Sequence, residues 1–198
     1  IRIENSSPRL KNLKILNSTA NIGGGGISCE ACDSRITDVI ISNNSVTGIG
    51  GGMRVFNGSN PELIGVTISN NTSTLNGGGI AYEGLPASTI NQRLHRVSIS
   101  NNTSTEGVGG GIYLYSSIAS VTRSLVQDNA ASLKGGGMSI EWASELMLEN
   151  SFVSGNTLTN GVQGSNVYIG KSDQLIGSNE KLITMNSNLI DTVALSDE

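Results

Sequence analysis

Carboxylate and aromatic side chains alternate at one position that recurs along this chain. The position is occupied in turn by Glu30, Phe56, Glu83, Tyr115 and Glu141. Two residues earlier, the same pattern adds Arg54, Tyr113 and Tyr168. Aromatic rings present apolar faces on which sugar rings can stack, and carboxylates accept hydrogen bonds from hydroxyl groups. These eight residues are therefore candidates for a glycan-binding surface, and a plain exposed surface is the other interpretation.

The same carboxylates could in principle cleave a glycosidic bond. An inverting glycosidase holds its two carboxyl groups about 6.5–9.5 Å apart. If each repeat forms one coil, Glu83 and Glu141 lie two coils apart, a separation of roughly 10 Å. The alternation is equally expected of a plain exposed surface, because it keeps like charges off adjacent coils. Enzymatic activity is uncertain, the sequence favours a protein without it, and we assign no catalytic residue.

His95 is the only histidine, and it stands between Arg93 and Arg96. It follows a stretch that makes one repeat longer than the others, which we expect to bulge as a loop over 83–93. Loops on rigid scaffolds often carry recognition residues, so His95 is a candidate base. We expect it instead to be an exposed residue beside the loop. The residues assigned to the bulge include Gly84, Pro86 and Gln92.

The two cysteines, Cys29 and Cys32, form a single C-x-x-C motif. A structural zinc site needs four ligands, and the chain offers no second pair of cysteines or histidines to complete one. The motif therefore indicates either a local disulfide or two half-buried thiols. We predict no metal and no cofactor.

A repeat of about 27 residues must position all of these side chains. Each copy has an aliphatic residue, two spacers and an asparagine, followed by a glycine run that ends in a large apolar residue. The asparagines are Asn44, Asn71, Asn102, Asn129 and Asn156. The runs are Gly24–Gly26, Gly50–Gly52, Gly77–Gly79, Gly109–Gly111 and Gly135–Gly137. Such a period is typical of stacked-repeat proteins.

Within each repeat, apolar and polar residues alternate with the period of a β-strand. In one copy Val66, Ile68 and Asn70 are expected to share the inner face. We predict an all-β, right-handed parallel β-helix of about six or seven coils, since parallel crossovers are right-handed. The asparagines named above should form a hydrogen-bonded ladder. Residues 1–198 should be one domain, with irregular or capping ends at 1–12 and 171–198.

The composition limits the partners that this chain can have. The formal net charge of -4 indicates no basic surface, so we expect no nucleic-acid partner. No apolar run reaches the ~18 residues that a membrane-spanning helix needs, so we expect no direct membrane insertion by this segment. The oligomeric state stays open.

The pairing of I/V-x-x-N with G-G-G-I/M resembles the repeats of the chlamydial polymorphic outer membrane proteins, whose passenger regions carry F-x-x-N and G-G-A-I/L/V. Their Phe position is Ile41, Ile68, Ile99, Val126 and Val153 here, and their Ala position is Gly26, Gly52, Gly79, Gly111 and Gly137. The resemblance implies a secreted or cell-surface stalk or passenger segment with adhesin-like function. It implies a cell-surface protein or glycan of a host as partner. Because the chain starts at Ile1 and not at a methionine, we expect it to be a piece of a longer protein.

Overall fold

A computed structural model shows four parallel sheets that run along one axis. It describes residues 1–84, 91–142 and 144–170, together with the backbone of three further strands between 183 and 195. Every strand pairs in parallel with its counterpart one repeat away. Ile80, for example, lies between Met53 and Ile112. The all-β parallel β-helix with about 27 residues per coil is therefore confirmed.

Sheets A and B contain the longer strands. The strands of sheet A are Arg2–Glu4, Ile27–Glu30, Met53–Phe56, Ile80–Glu83, Ile112–Tyr115, Met138–Glu141, Val167–Ile169 and Val193–Leu195. The strands of sheet B are Arg9–Lys11, Arg35–Thr37, Glu62–Ile64, Asn91–His95, Ile118–Thr122, Glu145–Glu149 and Ile183–Asn186.

Sheets C and D complete each coil before the glycine run leads back to sheet A. The strands of sheet C are Lys14–Leu16, Ile40–Ser42, Thr67–Ser69, Ser98–Ser100, Leu125–Gln127, Phe152–Ser154 and Leu189–Ile190. The strands of sheet D are Thr19–Ala20, Ser45–Val46, Thr72–Ser73, Thr103–Ser104, Ala130–Ala131 and Thr157–Leu158.

The interior is one continuous aliphatic core that extends from Ile3 to Ile169. Equivalent residues stack directly on each other, as Leu63 does on Leu94 in sheet B and Ile68 on Ile99 in sheet C. Full burial of each such side chain stabilises the fold by about 1.5–3 kcal/mol. Alternation along the strands therefore fixes which face is inside.

Left-handed backbone conformations turn the chain at its corners. The corner after sheet C is formed by Asn17, Asn43, Asn70, Asn101, Asp128 and Gly155, all at positive φ. Asparagine, aspartate and glycine tolerate this conformation better than other residues. The expectation that Asn70 faces inward with Val66 and Ile68 is wrong, because its φ of 54° ends the strand alternation and leaves the side chain exposed.

The glycine run gives each coil a tight return to sheet A. Gly50 has a φ of +76°. At Gly52, a Cβ atom would lie 2.6 Å from the carbonyl oxygen of Gly79 in the next coil. The run is therefore glycine because neighbouring backbones approach closely there.

Two expected irregular segments contain regular strands. Residues 1–12 carry Arg2–Glu4 and Arg9–Lys11, which pair in register with the following coil. In the expected loop, Gln92 and Arg93 belong to strand Asn91–His95, and Gln92 is buried with its Nε2 donating to the carbonyl oxygen of Ser59. Pro86 lies outside the described residues.

Candidate binding surface on sheet A

Two outward-facing columns of side chains run along sheet A, in the predicted register. We call one the glutamate column: Glu30, Phe56, Glu83, Tyr115 and Glu141. The other is the tyrosine column: Ser28, Arg54, Ala81, Tyr113, Ser139 and Tyr168. All members of the glutamate column are partly exposed, so this column forms the accessible surface.

The tyrosine column is largely covered, which corrects the expectation of a fully exposed surface. Tyr113 is only 6% exposed and Tyr168 only 3% exposed. Ile49 and Val108, from the corners that precede the glycine runs, pack in one cluster with Tyr113. Burial, with smaller contributions from the charges of Glu141 and Glu83, raises the pKa of Tyr113 above its usual range.

Tyr168 is covered in a similar way by a lysine. The ammonium group of Lys134 lies 4.5 Å from the centre of the Tyr168 ring and 3.0 Å from its hydroxyl oxygen. Tyr113 and Tyr168 therefore support the surface and leave little area for a ligand.

Arg54 connects the two columns. Its Nε lies 2.5 Å from a carboxylate oxygen of Glu83, and its guanidinium group lies 4.5 Å from the centre of the Phe56 ring. Both charged side chains are only about one-fifth exposed, at 22% and 23%. The pair therefore holds Phe56 and Glu83 in fixed positions on adjacent coils.

Trp142 is the most exposed aromatic residue of this surface, and the repeat pattern does not reveal it. Its ring centre lies 5.8 Å from that of Tyr115, which in turn lies 6.3 Å from that of Tyr113. Trp142 is 51% exposed and has a φ of 47°, an unusual conformation for a bulky side chain. The signal in the sequence is that the only tryptophan directly follows Glu141.

The N-terminal end of the glutamate column is more polar. Arg2 contacts Glu4 at 2.9 Å and Glu30 at 3.5 Å, and Asn57 donates a hydrogen bond to Glu30. Beside it lies an open cavity of about 570 Å³, lined in part by Ile22 and Glu30. The surface thus has an aromatic end at Trp142 and a charged end at Arg2.

The five repeated asparagines lie inside the corner after sheet C and form a ladder. In Asn44, Asn71, Asn102 and Asn129, the backbone N–H and the Nδ2 both donate to the Oδ1 of the next asparagine. The ladder ends where Asn156 donates in the same way to Asn166. These residues position the coils and do not face a ligand.

The other chemical candidates lie apart from the surface. Cys29 and Cys32 form a disulfide with a Cα–Cα distance of 5.6 Å, and both are buried in the core and not half-buried. His95 lies on sheet B, partly buried, with Nδ1 2.8 Å from the hydroxyl oxygen of Thr122. Within the described ranges, no three metal-ligating side chains come together.

The family model for a right handed beta helix region matches residues 1–189. The chain belongs to this right-handed β-helix family. The match covers nearly the whole chain and agrees with the four parallel sheets. It also indicates that the coil is right-handed. No curated protein and no solved structure matches this chain. Among the described residues, no α-helix is long and apolar enough to cross a bilayer.

Proposed function

We propose that this β-helix is a non-catalytic segment of a secreted or cell-surface protein and that it binds a glycan through sheet A. The observation that carries the proposal is the pair formed by the exposed Trp142 and the partly exposed Tyr115, whose ring centres are 5.8 Å apart. Glu83 and Glu141 occupy the coils on either side of Tyr115 in the glutamate column. Rings for stacking and carboxylates for hydroxyl groups are thus adjacent.

The scaffold favours binding because it fixes these side chains before a ligand arrives. Tyr115 extends from a paired strand and packs against Tyr113, which is itself buried. Side chains that are already ordered lose little conformational entropy on binding. A flat, preorganised surface of this kind suits an extended glycan better than a small molecule.

The contacts of the carboxylates support a role in binding over one in hydrolysis. Glu83 is engaged by Arg54, and Glu141 accepts a hydrogen bond from Ser139 at 3.0 Å. An inverting or retaining glycosidase needs one carboxyl group that is protonated and free to act as a general acid. His95, the candidate base, lies on sheet B and not on sheet A.

The adhesin-like interpretation is supported by the repeat motifs that resemble the chlamydial polymorphic outer membrane proteins. One difference is structural. In this chain a Cβ at Gly79 would lie 2.6 Å from the carbonyl oxygen of Gly111, so the alanine of G-G-A has no room at this position. We propose a surface stalk or passenger segment whose ligand is a host or cell-surface glycan.

A glycan array probed with the full chain tests this function. We expect bound glycans to be lost in Trp142→Ala and Tyr115→Ala, because each variant removes a stacking ring. Met147→Ala is the control, since Met147 is a large apolar residue that is 44% exposed but lies on sheet B. Trp142→Gly should lose binding while relieving the left-handed strain, which separates binding from folding.

Two results would contradict the proposal. The first is an array on which the parent chain binds nothing, or on which the Trp142 and Tyr115 variants retain every glycan that the parent chain binds. The second is release of new reducing ends from a bound glycan, which would show hydrolysis.

A further inference from the structure

A groove of about 360 Å³ runs along the corner between sheets B and C, away from sheet A. Three successive coils line it, and each contributes three consecutive residues. The lining segments are 96–98, 123–125 and 150–152. The first residue of each segment sits at a left-handed corner: Arg96, Arg123 and Asn150.

Two of these corners carry arginine where the earlier coils use Asn12, Asp38 and Gly65. Asparagine, aspartate and glycine suit positive φ, whereas arginine does not gain from it. The φ values of Arg96 and Arg123 are 54° and 51°. The fold therefore tolerates a less favourable backbone at two adjacent coils, and both arginines project from the same corner.

The guanidinium groups of Arg96 and Arg123 differ from that of Arg93 in their contacts. Arg96 and Arg123 are exposed, and neither forms an ion pair in the part of the chain that the structure describes. Arg93, on the adjacent strand, differs because Glu62 lies 3.9 Å from it. Two such guanidinium groups, on adjacent coils whose backbones lie ~4.8 Å apart, make a local site for repeated anionic groups.

The floor of the groove is rigid and its opposite wall is apolar. Ser124 and Ser151 stand where earlier coils place Val39 and Val66, and they form a short ladder of hydrogen bonds. The backbone N–H of Val97 donates to the Ser124 hydroxyl at 3.0 Å, and that of Ser124 donates to the Ser151 hydroxyl at 3.1 Å. Leu125 and the 45% exposed Phe152 form the wall on sheet C.

We propose that this groove binds a linear acidic glycan that carries a carboxylate or sulfate group on each sugar. The two arginines pair with anionic groups of successive sugars, and Phe152 packs against a sugar ring. The exposed ring of Phe152 beside the arginines favours a glycan over an acidic peptide, because a sugar ring has a flat apolar face that can stack on it. This site is independent of the surface on sheet A.

Binding of the full chain to soluble polymers tests the proposal. The probes are polygalacturonate, dextran sulfate, uncharged dextran and poly-glutamate. We expect at least one acidic glycan to bind, with affinity that falls as salt rises. We expect the double variant Arg96→Asn/Arg123→Asn to weaken that binding at least tenfold. Its thermal midpoint should not fall, because asparagine suits the left-handed corner. The two glycans distinguish a carboxylate from a sulfate site.

The control Arg9→Asn/Lys11→Asn removes the same charge from exposed positions on sheet B outside the groove. It should leave the affinity unchanged. Equal weakening in both double variants would overturn the proposal in favour of diffuse electrostatic attraction. The proposal would also be overturned if neither acidic glycan binds, or if poly-glutamate binds as tightly as the acidic glycan. If the asparagine variant does not fold, Arg96→Gln and Arg123→Gln provide the same test separately.

Discussion

The side-chain oxygen Oδ1 of Asn102 accepts two hydrogen bonds from Asn71, one from the backbone N–H and one from Nδ2, each at 3.0 Å. The Nδ2 of Asn102 also donates to the carbonyl oxygen of Ile68. Asn102 is fully buried, so water cannot replace these partners. One side chain thus satisfies three polar groups of the preceding coil.

Asn102→Ala should therefore be strongly destabilising. It leaves two donors of Asn71 without a partner and removes one hydrogen bond to the carbonyl of Ile68, at about 1–3 kcal/mol for each buried group left unpaired. We expect the free energy of unfolding, measured with urea, to fall by at least about 3 kcal/mol. The neighbouring Asn101 is the control. It lies exposed at the left-handed corner, so Asn101→Gly should change stability by only a few tenths of a kcal/mol. Equal losses in the two variants would contradict the ladder.

Where two asparagines are adjacent, as at Asn70 and Asn71, the sequence predicts their positions unequally well. The repeat identifies the second one as a ladder residue, because only a buried, stacked amide explains its recurrence. It misplaces the first one, such as Asn70, because alternation assumes that the strand continues. The left-handed corner that ends the strand is a backbone feature, and its sequence signal is the preference for asparagine, aspartate and glycine.

The candidate site shows the same limit. The repeat gives the register of Glu83, Tyr115 and Glu141 correctly, because the coils stack without slippage. It cannot show that Tyr113 is covered, since the covering residue Val108 comes from a different corner of the coil. It also misses Trp142, because that residue occurs in one coil and repeats nowhere.

Reduction of the Cys29–Cys32 disulfide should destabilise the protein without unfolding it. The bond closes a very short loop, so the loop-entropy model gives a loss of about 2 kcal/mol. We expect a reducing agent to lower the urea midpoint of the parent chain by roughly 1 M. Cys29→Ala/Cys32→Ala, which has no disulfide, should not respond to the reductant. Global unfolding of the parent chain on reduction would contradict this prediction.

The buried tyrosines should make the fold sensitive to alkaline pH. In the unfolded chain Tyr113 ionises near pH 10, whereas in the folded chain burial raises its pKa and keeps it neutral. Above pH 10 the unfolded state has therefore lost a proton that the folded state retains. The free energy of unfolding falls with rising pH, by at most about 1.4 kcal/mol per pH unit for each such group.

Urea unfolding between pH 9 and pH 11 measures this dependence. Tyr113→Phe should reduce the slope, because it removes one of the groups that ionise only after unfolding. Phe152→Leu changes no ionisable group and should keep the slope of the parent chain. An unchanged slope in Tyr113→Phe would show that the Tyr113 hydroxyl is not held neutral by the fold.

Tyr82 offers the opposite test, in which loss of a polar group should stabilise the protein. Its side chain is fully buried among aliphatic residues, and its hydroxyl has no hydrogen-bond partner in the described part of the chain. The unpaired Oε1 of Gln92 is buried too, and both side chains line a cavity of about 10 Å³, at the lower limit for one water molecule. Because Tyr82→Phe removes a buried group that lacks a partner, we expect the free energy of unfolding to rise by about 1 kcal/mol.

Ser59→Ala is the matched control from the same cavity. The Ser59 hydroxyl accepts a hydrogen bond from the backbone N–H of Cys32 at 3.0 Å, so loss of this hydroxyl should destabilise the protein. A destabilised Tyr82→Phe would instead mean that a water molecule in this cavity joins Tyr82 to Gln92, and a high-resolution crystal structure would show it.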